Sequence, residues 1–295
     1  VFDGEEHEGY YTQEQIKDVV AYAASKYINV VPEIEMPGHA LAALASYPEL
    51  SFDSTQTYKV SPTWGVFEQV FCPSETTFKF FEGVMDEVVE LFPSEYIHIG
   101  GDECPKTAWK NSAFCQQLIR QLGLKDDVTP SKVDGVKHSK EDKLQSYFVT
   151  RMEKYLNDKG RNIIGWDEIL EGGLAPNATV MSWRGVEGGL NAAKAGHNAI
   201  MTPMPYAYLD FYQEDPAIAP TTIGGYTTLK KTYSYNPAPD DADELVKKHV
   251  IGMQGNIWRE YMKNSDRTDY QAFPRAMAIA ETGWTLDANI MAGRD

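Results

Sequence analysis

At 295 residues, 42% of them hydrophobic and 24% charged, the chain is long enough for a large apolar core and has the composition of a folded globular protein, which excludes a disordered one. Its 43 acidic residues against 27 basic ones leave a net charge of -16, which argues against a polyanionic partner such as DNA or heparin and suits a neutral or basic substrate. No apolar stretch approaches the roughly 20 residues of a membrane-spanning helix. The opening Val1-Phe2-Asp3-Gly4-Glu5-Glu6 lacks the basic and apolar regions of a signal peptide, so the chain is expected to start at a mature, cut or internal position. Cys72, Cys104 and Cys115 match no zinc spacing and allow at most one bridge, with Cys104 to Cys115 the candidate pair.

In chain order, the spacing of Ile16, Val19, Val20 and Ala23 predicts a helix over 11–27, with Thr12 three residues before Gln15 as a capping box. A strand follows at 28–34, then a short helix at 40–45 and a loop of about 30 residues through Tyr58, Trp64 and Phe71, a length that in compact domains usually marks a functional lid or wall. Further helices are predicted over 77–91, 108–122, 144–159 with Gly160 after the cap, and 186–195. One more runs up to Val250 and is capped by Asp240 or Asp243, and a last one covers 270–281. The remaining strands are placed at 96–100, 163–166, 179–183, 199–202 and 251–255. Six strands alternating with helices, polar residues at the strand ends and no glycine-rich dinucleotide loop favour a parallel α/β barrel over a doubly wound sheet. With no linker in view, residues 1–295 are expected to form one barrel domain whose first two strands are missing from the chain.

The chemistry concentrates where strands end. Tyr96-Ile97-His98-Ile99-Gly100-Gly101-Asp102-Glu103 closes a short strand with two glycines that permit a bend and two adjacent carboxylates. One acid held neutral can protonate a leaving group while its neighbour, held ionised, stabilises positive charge; the competing reading is that the pair merely caps the next helix. His39, after Pro37-Gly38, is either a loop-fixing histidine bonded to a carboxylate or a metal ligand with Glu33 or Glu35, and without a second histidine or a cysteine cluster the metal reading is the weaker. Trp166, Trp183 and Trp258 recur at comparable strand ends, where indoles beside acids suit the apolar faces and hydroxyl edges of a sugar, although each can also simply fill space. Tyr206, Tyr208 and Asp210 alternate after a strand, and Glu260 follows Trp258 by two, so that both acids are candidates for sugar hydroxyls or for the solvated surface.

Taken in order, the segments Val31-Pro32-Glu33-Ile34-Glu35-Met36-Pro37-Gly38-His39, His98-x-Gly100-Gly101-Asp102-Glu103, Gly165-Trp166-Asp167-Glu168, Ser182-Trp183-Arg184-Gly185, Tyr208-Leu209-Asp210 and Gly255-Asn256-Ile257-Trp258-Arg259-Glu260 resemble the catalytic domain of family 20 glycoside hydrolases, the β-N-acetylhexosaminidases. The resemblance spans roughly residues 10–285 and implies a TIM (β/α)8 barrel, usually preceded by a smaller α/β domain. It implies exo-hydrolysis of terminal β-linked N-acetylglucosamine or N-acetylgalactosamine by substrate assistance, an exception to the two-carboxylate retaining scheme. Carried over, Glu103 is the acid/base, Asp102 holds the acetamido N–H, and Tyr208 donates to the acetamido oxygen. Trp166, Trp183 and Trp258 enclose the sugar, Asp210 and Glu260 bind outer hydroxyls, and His39 supports the acid/base. No cofactor and no metal is implied. The implied partner is a glycan ending in N-acetylhexosamine, with neither nucleic acid nor membrane, in a secreted, periplasmic or lysosomal setting.

Two departures stand out. The family's first strand, with an arginine that grips the sugar, and its second strand with the following His/Asp segment have no counterpart here. The stretch Thr221-Thr222-Ile223-Gly224-Gly225-Tyr226 also lacks a further pocket tryptophan. Two other readings follow: release of a disaccharide by a lacto-N-biosidase-like site, and a catalytically silent carbohydrate-binding barrel.

Overall fold

Thr12 caps the first helix as its spacing predicts: its hydroxyl accepts the Gln15 N–H at 3.2 Å and the Gln15 side chain takes the Thr12 N–H at 2.8 Å, opening α1 (Gln13–Ser25). The computed structural model describes residues 9–239 and 241–285; the opening Val1 to Glu6 and Asp240, one of the two candidate caps, lie outside them. No helix among the described residues is long and apolar enough to cross a bilayer. The chain divides into two compact units, one ending at Thr179 and the other starting at Val180.

In the first unit α2 (Leu41–Ser46), α3 (Glu75–Leu91), β1 (Tyr96–His98), α4 (Thr107–Asn111), α5 (Ala113–Gln121), α6 (Lys140–Asp158) and β2 (Asn162–Trp166) follow α1. The strand expected at 28–34 is reduced to a single parallel bridge between Glu33 and His98. Pro32 has no N–H to give a ladder, so pairing is confined to three bonds: His98 N–H to the Pro32 carbonyl, Ile34 N–H to the His98 carbonyl and Met36 N–H to the Ile99 carbonyl. The helix expected over 108–122 breaks in two because Ser112 turns extended and its hydroxyl caps α5 through the Cys115 N–H. A capping box between Ser139 and Asp142 starts α6 earlier than the apolar spacing suggested, and Gly160, at φ +71, ends it in the left-handed conformation.

β1 and β2 run parallel, pairing Ile97 with Ile163 and His98 with Ile164. Phe78 and Phe81 of α3 meet Phe148 of α6 at centroid distances of 4.8 and 6.1 Å. A second cluster joins Val70, Cys104, Trp109, Cys115, Ile119 and Leu144. The expected Cys104–Cys115 bridge is absent; all three cysteines are free buried thiols, and the thiol facing Cys115 is that of Cys72. Trp109 is fully buried and its indole N–H donates to the Phe71 carbonyl at 3.1 Å. Trp109→Ala therefore removes a large ring and orphans that carbonyl, and a loss of about 3–5 kcal/mol is expected in urea unfolding.

The second unit carries β3 (Thr179–Ser182), α7 (Glu187–Lys194), β4 (Ala199–Met201), α8 (Met204–Ala207), α9 (Leu229–Tyr233), α10 (Glu244–His249), β5 (Val250–Met253), α11 (Ser265–Ala272) and α12 (Arg275–Trp284). β3 pairs with β4 and β4 with β5, all parallel, with an irregularity between Ala199 and Ile200. Asp243 is the N-cap of α10, although its side chain makes no capping bond. The single last helix expected at 270–281 is two helices, because Pro274 cannot continue the α11 ladder. Arg275 is fully buried, and its guanidinium donates to the carbonyls of Leu209 at 2.6 Å, Gln271 and Thr227 at 2.8 Å, and Phe211 at 3.2 Å. One side chain thereby fixes the backbone on both sides of Asp210.

Candidate active site

The turn after β1 is built from backbone conformations that only a few residues tolerate. Gly100 and Gly101 sit at φ +68 and +96, and Glu103 follows at φ +43. Both glycines are also needed for space: a Cβ on Gly100 would stand 2.1 Å from the Glu35 carboxyl and one on Gly101 would meet Ile169 at 2.7 Å. Opposite this turn, the 36–39 segment packs so closely that a Cβ on Gly38 would lie 2.8 Å from the Asp102 carbonyl, and His39 itself adopts φ +47. The bend suggested by the two glycines is thus present.

It brings His39, Asp102 and Glu103 together. His39 Nε2 lies 3.2 Å from Asp102 Oδ2 and 3.5 Å from Glu103 Oε2, so the histidine is bonded to a carboxylate. These three residues place one ligand-type atom each within 4.8 Å of one another. A ring N–H shared between two carboxylates accounts for that spacing. The hydrogen bond to Asp102 raises the His39 pKa against the opposing effect of burial. At Asp102 burial favours the neutral acid, yet hydrogen bonds from His39 and Glu35 outweigh it and hold the carboxyl below its ordinary value.

Around this cluster lies a tier of polar residues. Glu35 Oε1 accepts the Gly101 N–H at 3.0 Å, and Gln145 Nε2 of α6 donates to the Gly101 carbonyl at 2.7 Å. Lys106 Nζ reaches Gln145 Oε1 at 2.6 Å and the Cys104 carbonyl at 2.8 Å. Trp166 Nε1 donates to Glu33 Oε1 at 2.9 Å, and its ring lies 4.8 Å from that of His98, which accepts the Gly100 N–H on Nδ1. Trp166 is 3% exposed and Asp167 and Glu168 are buried with it, so the indole presents little free face of its own in the first unit.

In the second unit Tyr208 is buried and Trp183 half-buried, their rings 6.3 Å apart and 31° from parallel. Tyr208 forms a parallel bridge with Asn256, and Leu209 N–H donates to the Asn256 carbonyl at 2.7 Å. Asp210 is 4% exposed, and its Oδ1 has no hydrogen-bond partner among the described residues. Burial first, and then the Glu260 charge, push the Asp210 pKa up to about 7. Trp258 and Glu260 are exposed. Tyr206 does not share the Tyr208 edge: it lies in α8 and stacks on Tyr235 at 4.9 Å, since a helical turn replaces the alternation assumed for 206–210.

A raised Asp210 pKa has a definite sign. The folded protein prefers the neutral acid, so the favourable contribution is complete below about pH 4 and is lost as pH rises through about 7. Asp210→Asn is expected to flatten that decline, which is at most about 4 kcal/mol, in unfolding measured across this range.

Glu35, Gln145, Lys106 and Arg275 carry no site signal in the sequence beyond the pairing of Glu35 with His39 as a possible metal ligand and the alternation Glu33-x-Glu35 at a strand end. Gln145 and Arg275 lie on helices whose apolar spacing says nothing about a polar contact.

The match to known proteins agrees with this geometry. Residues 2–287 match the model of the glycosyl hydrolase family 20 catalytic domain, and the chain belongs to that family. A β-hexosaminidase of Porphyromonas gingivalis is 50% identical over 96% of this chain and 35% of its own length. Among solved structures, a β-N-acetylhexosaminidase superposes with a TM-score of 0.82 at 31% identity, covering 99% of this chain and 61% of that one. An exo-β-N-acetylglucosaminidase from Vibrio harveyi, solved with N-acetylglucosamine, gives 0.79 at 32% identity over 98% of this chain and 44% of its own. The fold is therefore of the TIM-barrel class. The chain spans between about a third and three fifths of these relatives.

Proposed function

We propose that this chain carries the acid/base machinery of a retaining exo-β-N-acetylhexosaminidase that removes terminal N-acetylglucosamine or N-acetylgalactosamine by substrate assistance. The observation that carries the reading is the contact of His39 with both Asp102 and Glu103 on a turn held at positive φ by Gly100, Gly101 and Glu103. Relatives named β-hexosaminidase that match over nearly the whole chain support it.

In the first step the substrate's acetamido oxygen attacks the anomeric carbon, the glycosidic C–O bond breaks, and the Glu103 proton passes to the departing oxygen. The product is a cyclic oxazolinium ion. Asp102, ionised, accepts the acetamido N–H and faces the positive charge that grows during ring closure, which is stabilisation by a charge already in place. Tyr208 is assigned the acetamido oxygen, the indoles of Trp183 and Trp258 the apolar faces of the sugar, and Trp166 only the small exposed edge that its packing leaves. In the second step Glu103 takes a proton from water, the oxygen attacks the anomeric carbon, and the oxazolinium opens with overall retention. The nucleophile is tethered to its target, so the protein mainly has to orient it. Asp210 and Glu260 are assigned outer hydroxyls.

The test is hydrolysis of a nitrophenyl β-N-acetylglucosaminide by the intact protein, with the first-formed anomer read by NMR. Release of the β-anomer of N-acetylglucosamine is the expected outcome. Sugar binding without turnover would replace this reading with a silent binding barrel, and release of a disaccharide from Gal-GlcNAc substrates would widen the site.

A further inference from the structure

Asp102 has two side-chain partners, His39 and Glu35, and neither takes a step in the reaction described above. His39 approaches Oδ2. Asp102 also has the Glu35 carboxyl as a side-chain hydrogen-bond partner, and that carboxyl rests on the Gly100 α-carbon, where an added Cβ would collide with its carboxyl carbon and both oxygens. The same carboxyl is pinned by the Gly101 N–H at 3.0 Å. Asp102 Oδ1 is buried and lacks any donor among the described residues.

We propose that Glu35 is a positioning residue for Asp102: its neutral carboxyl donates a hydrogen bond to the Asp102 carboxylate and so fixes the orientation in which that carboxylate meets the acetamido N–H. This rests on the reading of the site given above. Two half-buried carboxyls in contact do not readily both ionise, so one proton stays with the pair. The surroundings decide where. Asp102 has the His39 ring as a donor and a positive neighbour when protonated, whereas Glu35 has one backbone N–H.

The other groups facing Glu35 do not favour a charge there. Glu33 and Asp102 are acids, Cys104 is a buried thiol, and Glu103 lies beyond His39. Lys106 is the nearby cation, but its ammonium is committed to Gln145 and the Cys104 carbonyl, with Asp142 at 3.8 Å. Burial, then the Asp102 charge and hydrogen bond, raise the Glu35 pKa well above its ordinary value, in agreement with the proton's residing on Glu35. A carboxylate has about four lone-pair sites, so Asp102 keeps room for both its protein donors and the substrate.

Glutamine reproduces this arrangement, since its amide N–H can donate to Asp102 while its oxygen accepts from Gly101. Alanine removes the donor and leaves Asp102 free to turn. E35A is expected to lower kcat on the order of 10²-fold, the scale of a misoriented catalytic group, while KM changes little. E35Q should restore most of that loss. Because the neutral acid is the working form, wild-type kcat should fall as pH rises past the point where Glu35 ionises, and that limb should be missing in E35Q.

Protonation is read independently of turnover, from the carbonyl stretch of a neutral carboxylic acid in the infrared difference between wild type and E35Q at neutral pH. Its presence, together with the loss of kcat in E35A and its recovery in E35Q, supports the proposal. Absence of the band, or E35A retaining wild-type kcat, overturns it. Should E35A fail to fold, the wild-type band and the pH profile of E35Q decide. Failure of the wild-type protein to turn over any N-acetyl substrate would instead strike the proposed function and, with it, the role assigned to Glu35, while the band would still place the proton.

Discussion

Glu103→Gln is expected to lower kcat roughly 10²- to 10⁴-fold, the usual contribution of a positioned general acid and base, while leaving KM close to wild type. Glutamine matches glutamate in shape and keeps a polar group beside His39, so the φ +43 turn and the contacts around it have no reason to change. What is lost is the proton that must reach the glycosidic oxygen and the base that must later take one from water. The first loss depends on the leaving group. A nitrophenolate departs with little help, whereas the alcohol of a natural glycan needs the proton, so the deficit should be larger on an oligosaccharide than on the chromogenic substrate. Equal weakening of affinity with unchanged turnover would remove Glu103 from the acid/base role.

Asp102→Asn should cost about 10²- to 10³-fold in kcat, comparable to removing a preorganised electrostatic stabiliser. Two effects add here. The asparagine carries no charge to meet the oxazolinium, and its amide can turn a donor towards the acetamido N–H. The contact with His39 changes as well: the hydrogen bond to Asp102 is the main cause of the raised histidine pKa, so His39 should titrate lower in D102N, measurable by NMR. The deficit should be confined to substrates bearing the acetamido group. If a substrate with a plain hydroxyl in its place suffered equally, the acetamido N–H would not be the partner of Asp102.

The residues contiguous in sequence were the legible ones. Strand, glycine pair and acid pair at 96–103 form one local unit, and the bend at Gly100-Gly101 follows from residue types, whereas the φ +43 of Glu103 does not. His39 was legible as a carboxylate partner because Pro37-Gly38 marks a tight turn, although its partners lie more than 60 residues away. Contacts of that range were otherwise hidden: the Glu35 carboxyl on Gly100, Gln145 on the Gly101 carbonyl, and Arg275 on the carbonyls flanking Asp210. Each depends on tertiary packing that periodicity does not encode. The strand expected at 28–34 shrinks to one bridge because Pro32 has no N–H to continue a ladder. Tyr206 was misplaced because an alternating pattern there folds as helix.

Asp102 and Glu103 are proposed to serve one N-acetyl sugar, with Tyr208 assigned its acetamido oxygen. A crystal structure of the intact protein with a thiazoline analogue of the oxazolinium ion tests it most directly. The account predicts the Asp102 carboxylate on the ring nitrogen, Glu103 beside the anomeric carbon, and the Tyr208 hydroxyl on the sulfur that stands in for the acetamido oxygen. A thiazoline bound away from Asp102, or bound there with Tyr208 out of reach, would contradict it.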